Sequence, residues 1–485
     1  MLYYLRNLVI LALLLGWPNW YALAQWSTPV RISEPGDCWD PQILAVGDTL
    51  HVVYENTGAG YDKIGYVRST DGGDTWSEPV RLSERRGATL FPRIVQDGPR
   101  LMALWKQIFN SGYDRFNIGY AVSADHGATW DTARYIFDPN WPGILYFTAT
   151  NWHSTVVIVL GTQEGYDFVY YSFHSTDFGA SWSSPGLILN AYDSGRSDIA
   201  MSDSTVHFSW GGRFDADFDW ETYYLRSSDG GISWSANIAL SEVDEFHSYN
   251  PAICANRVGL VALAWMDFKR SPYWTTGDIF VRTSSDQGLN WLPEVQITER
   301  HRSTLSDIGY QGDSLYVAWQ DQRPENGNFS IYFSQSTDGG LTWSQEYRLD
   351  RDSLESREPT LATFNGAIYA VWAETRYSTD TSGLYFTSFQ AEPDAAEDMN
   401  ENIQPDITNV AAYPNPFNDA TVFSIGGNGD ADIVIYDVTG KRVTELASSE
   451  GVAVWRPDGL STGVYFARVK GSAGRGKTLR VIYLK

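Results

Sequence analysis

Cysteine is almost missing from this chain, with Cys38 and Cys254 the only two in 485 residues. That excludes a disulfide framework, and Cys254, inside the apolar run NPAICA, reads as a small buried thiol. Positive charge is also scarce: 35 Lys and Arg stand against 59 Asp and Glu, a formal net charge of -24. Such a surface repels nucleic acid and anionic membranes, so neither is expected as a partner. The seven histidines show no zinc-ligand spacing, and no metal or cofactor is expected. Long apolar runs are lacking after the first residues. The one present, NLVILALLLGW behind Arg6, leads to the small-x-small stretch Ala22 to Ala24 before Gln25. It is expected to be a signal peptide over residues 1–24, leaving no transmembrane segment in the mature chain.

Aromatic residues and glycine are abundant: 15% aromatic, with 20 Trp and 43 Gly, a composition suited to short strands and tight turns. An internal repeat organises them. STDGGDTW, SADHGATW, STDFGASW, SSDGGISW, SSDQGLNW and STDGGLTW place Asp71, Asp125, Asp177, Asp229, Asp286 and Asp338 at intervals of 52 to 57 residues. Around each box run four segments of alternating pattern, for example FPRI, LMALWKQ, NIGYAVS and the strand after the box Trp. Four antiparallel strands in about fifty residues make one propeller blade. Within a box, Gly permits the positive φ of a tight turn, Asp and Ser bond nearby amides, and Trp packs on a neighbouring strand. Six copies of one carboxylate read as staples rather than catalysts.

The last unit supplies EPTLATF, AIYAVWAE and GLYFTSF and then stops, whereas QWSTPVRIS stands alone after the leader. Pairing the two chain ends would complete a seventh blade and cover its edge. The expected fold is therefore all-β: a seven-bladed propeller over residues 25–390 (six blades with a divergent terminal hairpin being the alternative), closed by the N-terminal strand. An acidic linker over 391–406 and a small β-sandwich over 407–485 follow.

The S-x-D-x-G-x-T-W repeats resemble the Asp boxes, or bacterial neuraminidase repeats, of the sialidase-like propeller superfamily. The resemblance covers roughly residues 26–390 and implies sialidases, other glycoside hydrolases, or non-enzymatic binding propellers. For a sialidase it would imply three arginines for the substrate carboxylate, a Tyr nucleophile assisted by Glu, and an Asp acid/base. The family's Arg-Ile-Pro motif is not present as such; FPRI carries Pro92, Arg93 and Ile94 in another order. The tail, with YPNPFN, YDVTGKRV and GVYF, resembles the C-terminal sorting domain of type IX secretion substrates. That implies export to the cell surface or medium, with the secretion machinery as partner.

In an antiparallel meander the loops between second and third strands share one face with the blade-to-blade connections, opposite the boxes. Functional residues are expected there. Arg196 and Arg357, nearest the channel mouth, are the first candidates for an anion contact, joined by Arg93 and Arg302. Trp141, Trp220 and Trp274 are candidate stacking platforms for sugar rings. Catalytic candidates are Tyr249, with Glu245 as its possible assistant, and the carboxylates Asp198 and Asp321. The pairs Asp321 with Arg323 and Glu374 with Arg376 also read as local salt bridges. The expected function is a monomeric, exported propeller that engages a glycan or glycoprotein. The alternatives are an exo-sialidase or other glycoside hydrolase, and a non-catalytic protein-binding scaffold.

Overall fold

The alternating segments become strands, and every described regular element is a β-strand. The computed structural model describes residues 26–390 apart from 58–62, 85–86, 110–114, 138–140, 142, 215–218, 257–258, 270–276, 300–301, 313, 324–326, 351–354 and 376–381. Of the remainder it describes 409–413, 418–426, 432–437, 442–448, 452–457, 459–470 and 476–483. The leader, the linker and Trp274 lie outside the described residues. Two compact units divide at 393/394.

In the first unit, four-stranded antiparallel sheets follow one another along the chain, the arrangement of propeller blades. The first sheet runs Cys38–Val46, Thr49–Asn56, Lys63–Ser69 and Val80–Arg81. Five more repeat that order, their first strands being Ala88–Asp97, Ile144–Trp152, Asp193–Ser202, Ser248–Ala255 and Ser303–Gln311. A further sheet, the seventh among the described residues, joins Glu355–Phe364, Ala367–Thr375 and Gly383–Gln390 to Val30–Arg31 from the other end of the chain. Second strands are buried along nearly their whole length because sheets cover both faces. Trp105, Trp210, Trp265, Trp319 and Trp372 are fully buried at one repeating position of these strands.

The N-terminal segment returns more than a fourth strand. Ser33 Oγ accepts from Leu384 N at 3.0 Å, as Ser83 Oγ does from Ile64 N (3.0 Å) and Ser241 Oγ from Thr222 N (2.9 Å). Ser27 Oγ accepts from Ser388 N at 2.9 Å, matching the serines that follow the box tryptophans, such as Ser77 from Arg68 N and Ser235 from Arg226 N (3.1 Å each). Trp26 therefore occupies the place of a box tryptophan, buried against Phe333 and Phe389 with ring centroids 5.0 and 5.5 Å away.

Each box is a closed local network. In the first, Ser69 Oγ donates to Asp71 Oδ1 (2.6 Å) and accepts from Gly73 N (2.8 Å), while Asp71 Oδ1 also accepts from Thr75 N (2.9 Å). The Ser69 and Thr75 hydroxyls hold the Asp71 carboxyl down at about 2. The same bonds recur at Asp125, Asp177, Asp229, Asp286 and Asp338. The box carboxylates are thus committed to their own turns.

In the second unit, Asn409–Tyr413, Thr421–Gly426 and Val452–Trp455 form one sheet. Arg442–Ala447, Asp432–Asp437, Gly463–Lys470 and Gly476–Tyr483 form another. Both contribute to one apolar cluster containing Phe423, Ile433, Trp455 and Val469.

Candidate functional site

Each of the seven first strands breaks its ladder register near its N-terminal end, at Trp39/Gln42, Leu90/Arg93, Ile144/Tyr146, Ser194/Ser197, Tyr249/Ala252, Thr304/Ser306 and Arg357/Thr360. Four of these bulges contain Pro41, Pro92, Pro251 or Pro359, a residue that has no ladder N–H to lose. Asp40, Phe91, Asn250, Leu305 and Glu358 take positive φ there, between 45° and 56°. Strain repeated at one level of the fold marks a place where side chains are re-aimed. The re-aimed residues from all seven strands line one cavity of about 120 Å³.

Six charged groups face this cavity: Asp40, Arg93, Arg196, Asp198, Asp307 and Glu358. At the bulge level, Arg196 Nη2 of the fourth sheet lies 3.4 Å from Asp40 Oδ1 of the first and 3.5 Å from Glu358 Oε1 of the seventh. Glu358 Oε2 accepts from Asp40 N at 2.7 Å. Burial, with repulsion from Asp40, pushes the Glu358 carboxyl above the usual range.

Two residues further along the strands lie Arg93, Asp198 and Asp307. Asp198 Oδ2 accepts from Ile253 N of the next sheet (2.9 Å) and Oδ1 from Thr148 Oγ1 of the preceding one (3.4 Å). Asp307 Oδ2 accepts from Leu361 N of the next sheet at 2.7 Å. These carboxylates bolt adjacent sheets together while still facing the cavity. Burial raises both carboxyls, Asp307 to about 6 with Asp198 adding repulsion. Arg93 Nη1 is spent on Pro92 O (2.9 Å), whereas its buried Nε, like Ser306 Oγ, has no partner among the described residues. Phe91 and Tyr146, ring centroids 5.7 Å apart, supply an apolar wall.

The structure brings together Arg93, Arg196 and Asp198 from the expected set, and adds Asp307 and Ser306. The signal for Asp307 is an echo: RSDI at 196–199 and LSDI at 305–308 occupy the same place in two inner strands. Arg357, expected at the mouth, turns instead to Glu355, with Nε to Oε1 at 2.7 Å, and lies over Phe329 at 4.5 Å. It precedes its bulge residue, so the re-aiming does not reach it. Arg302, also expected there, is exposed, bonds Gln322 and approaches the same Phe329 ring at 5.8 Å. Two arginines, not three, line the cavity among the described residues.

Asp321 lies apart from the cavity, fully buried and paired with Arg323 at 3.3 Å, so the local salt bridge is what forms. Tyr249 directly precedes the cavity residue Asn250 and packs against Trp220 (5.9 Å) and Phe268 (5.7 Å). Burial raises its phenol, which works against a nucleophilic role, and Glu245 is exposed with no contact to it among the described residues. The Trp220 ring lies over Gly195, where a Cβ would come within 2.7 Å of it, next to Arg196. Trp141 is a packing residue, bonded through its backbone to Phe116 and set edge-on to Tyr171 (5.3 Å) and Phe173 (5.7 Å).

Residues 20–210 match the BNR repeat-like domain, and residues 411–483 match the secretion system C-terminal sorting domain. No curated protein matches the chain. Among solved structures, a PL25 ulvan lyase bound to -[GlcA(1-4)Rha3S]- is similar at 12% identity and TM-score 0.53, over 74% of this chain and 95% of that one. The polysaccharide lyase Uly1 is similar at 10% identity and TM-score 0.52, over 79% and 95%. A GH93 α-L-arabinofuranosidase of Fusarium graminearum is similar at 14% identity and TM-score 0.48, over 75% and 98%. At these identities the likeness is one of fold. The chain carries a BNR-repeat domain, and its sorting domain marks it for export through the type IX system, to the cell surface or the medium.

Proposed function

We propose that this exported BNR-repeat chain is a seven-bladed propeller, closed by its N-terminal strand, that binds carbohydrate at the channel mouth. Closure is supported by the Trp26, Ser27 and Ser33 contacts, which reproduce those of the other sheets. The binding reading rests on one observation: Arg93 and Ser306, whose Nε and Oγ are buried without a partner among the described residues, line a cavity with Arg196, four carboxylates and an aromatic wall. A sugar hydroxyl accepts from the guanidinium and donates to a neighbouring carboxylate at the same time, while the C–H face of the ring meets Phe91 or Tyr146. An anion would satisfy only the first of these needs. Fold alone carries no such argument.

The test is binding of the purified chain to a panel of neutral, sulfated, uronic and sialylated glycans. Arg93→Ala is expected to weaken binding about 10- to 100-fold, the effect of losing a charge-assisted hydrogen bond worth about 1.5–3 kcal/mol. Unchanged binding would sink the pocket assignment.

A hydrolytic reading is favoured by one feature, the raised carboxyl of Asp307 beside Asp198. A carboxyl kept partly protonated toward neutral pH is the form a general acid needs, with a second carboxylate opposite it as base or nucleophile. Asp307→Asn keeps an acceptor for Leu361 N but removes the titrating proton. If the chain cleaves glycosidic bonds, that variant is expected to lose about 10²-fold or more of the rate while still binding sugar. Cleavage at the unaltered rate would exclude Asp307 as the acid.

A further inference from the structure

At about 120 Å³ the cavity is smaller than the roughly 300–1,000 Å³ of a site that encloses a whole small molecule, so it takes a single ring or a substituent of one. Among the described residues, the large apolar side chains exposed on the loop face are Tyr166, Tyr192, Phe214 and Val243, and all belong to the third to fifth sheets or their connections.

The three aromatics differ from a protein-docking patch. Tyr192 is set beside an ion pair, a polar setting, whereas protein interfaces gather contiguous apolar area. Tyr192, 44% exposed, is held by its backbone N–H to Arg213 O (2.9 Å) and by the Arg213 guanidinium 5.1 Å over its ring. That guanidinium also pairs with Asp193 at 3.5 Å. Phe214, 46% exposed, is braced by Trp210 at 5.2 Å and Tyr223 at 5.1 Å. Tyr166, 94% exposed, caps the hairpin between Thr155–Glu164 and Asp167–Ser175. The Tyr192 and Phe214 rings, fixed by packing, lose little freedom when a ligand lands on them.

Tyr192 directly precedes the inner strand Asp193–Ser202 that carries Arg196, at most about 13 Å from it at about 3.3 Å per residue, and Trp220 covers Gly195 between them. We propose that the third and fourth blades carry an aromatic track for further rings of a polysaccharide chain, of which one ring or substituent occupies the channel-mouth cavity. This rests on the carbohydrate reading and deepens it: the ligand is an extended chain held along its length, not a terminal sugar alone.

The test uses the full exported chain and fluorescently labelled oligosaccharides from laminarin, xylan, pectin and ulvan, from monosaccharide to octasaccharide. Affinity for the bound series is expected to rise with length. Tyr192→Ala and Phe214→Ala are each expected to remove roughly fivefold or more of the affinity for the long members, the loss of a stacking contact, and to leave the shortest bound member unaffected. Tyr192→Phe should retain the long-chain affinity. Arg93→Ala should weaken every length alike. If the track variants bind long and short members as the unaltered chain does, the track is overturned and the cavity reading stands. If no oligosaccharide of any length binds, both fall together.

Discussion

Buried histidines give single residues a measurable effect on stability. His51 Nδ1 meets Tyr66 Oη at 2.8 Å, and His207 Nδ1 meets Tyr224 Oη at 2.8 Å, so each imidazole shares one hydrogen bond with a buried tyrosine. Burial lowers both histidines to about 4, with Arg68 and Arg226 respectively adding to the effect. In the unfolded chain each would titrate near 6.5. Between these values the unfolded chain takes up protons that the folded one refuses, so their contribution is whole above about pH 6.5 and is lost as pH falls toward 4. Asp307 acts in the opposite sense: raised from 3.8 to about 6, it favours the folded state at low pH and loses that contribution as pH rises through about 6. The two effects separate by substitution. The double variant His51→Gln, His207→Gln is expected to lose part of the fall in stability between pH 6.5 and 4, by at most about 3 kcal/mol per site at 1.36 kcal/mol per pKa unit. Denaturant midpoints across that range check it; an unaltered pH profile would show that these imidazoles do not titrate on unfolding.

At the scale of the element, the box turn joins two requirements in one glycine. Gly127 has φ 74° and Gly288 φ 76°, and a Cβ at either would lie 1.8 or 1.9 Å from the hydroxyl of Tyr66 or Tyr224 in the preceding sheet. Gly72 has φ 71° but nothing within 4 Å. Gly72→Ala is therefore expected to cost about 1 kcal/mol of backbone strain, while Gly127→Ala and Gly288→Ala add about 1–3 kcal/mol of overpacking. Equal losses at Gly72 and Gly127 would mean that the close approach relaxes freely. The boxes were readable from sequence because each copy needs the same Ser, Asp, Gly and Trp to close the same turn. The cavity was not readable in that way. Its lining comes from one repeating column of the inner strands, but the column has no shared residue type beyond the Asp198 and Asp307 pair: Gln42, Arg93, Ala252 and Thr360 fill the same place in other sheets. Repetition reports what every sheet shares, and a ligand site is built from what the sheets do not share. The bulges decided the rest, aiming Arg93 and Asp307 inward and leaving Arg357, just ahead of its bulge, to Glu355.

For the whole molecule, the same edge logic bears on association and on closure. Six of the fourth strands, Val30–Arg31 among them, span only two residues, so little unpaired backbone is offered to a second copy and a monomer is expected in light scattering. The seam between the chain ends is the vulnerable point of such a ring. It holds Ser27 N to Ser388 O (2.8 Å), Ile32 N to Leu384 O (2.9 Å) and the two serine contacts, with Trp26 and Ile32 buried. Removing Trp26 alone should cost about 3–5 kcal/mol, the usual loss for a buried large aromatic cut to Ala. Deleting residues 26–33 removes that side chain, Ile32 and the whole pairing, and bares the edge of Gly383–Gln390, eight residues long. The deletion is therefore expected to lower the melting temperature by more than Trp26→Ala does, and to promote self-association through the bared strand. A second variant separates closure from mere loss of a tryptophan: Ser27→Ala with Ser33→Ala keeps Trp26 but removes the hydroxyls that accept from Ser388 N and Leu384 N. It should lose about 1–3 kcal/mol for the two unsatisfied donors. A deletion chain that stays monomeric and melts with the intact one would mean that the terminal strand decorates the ring without closing it.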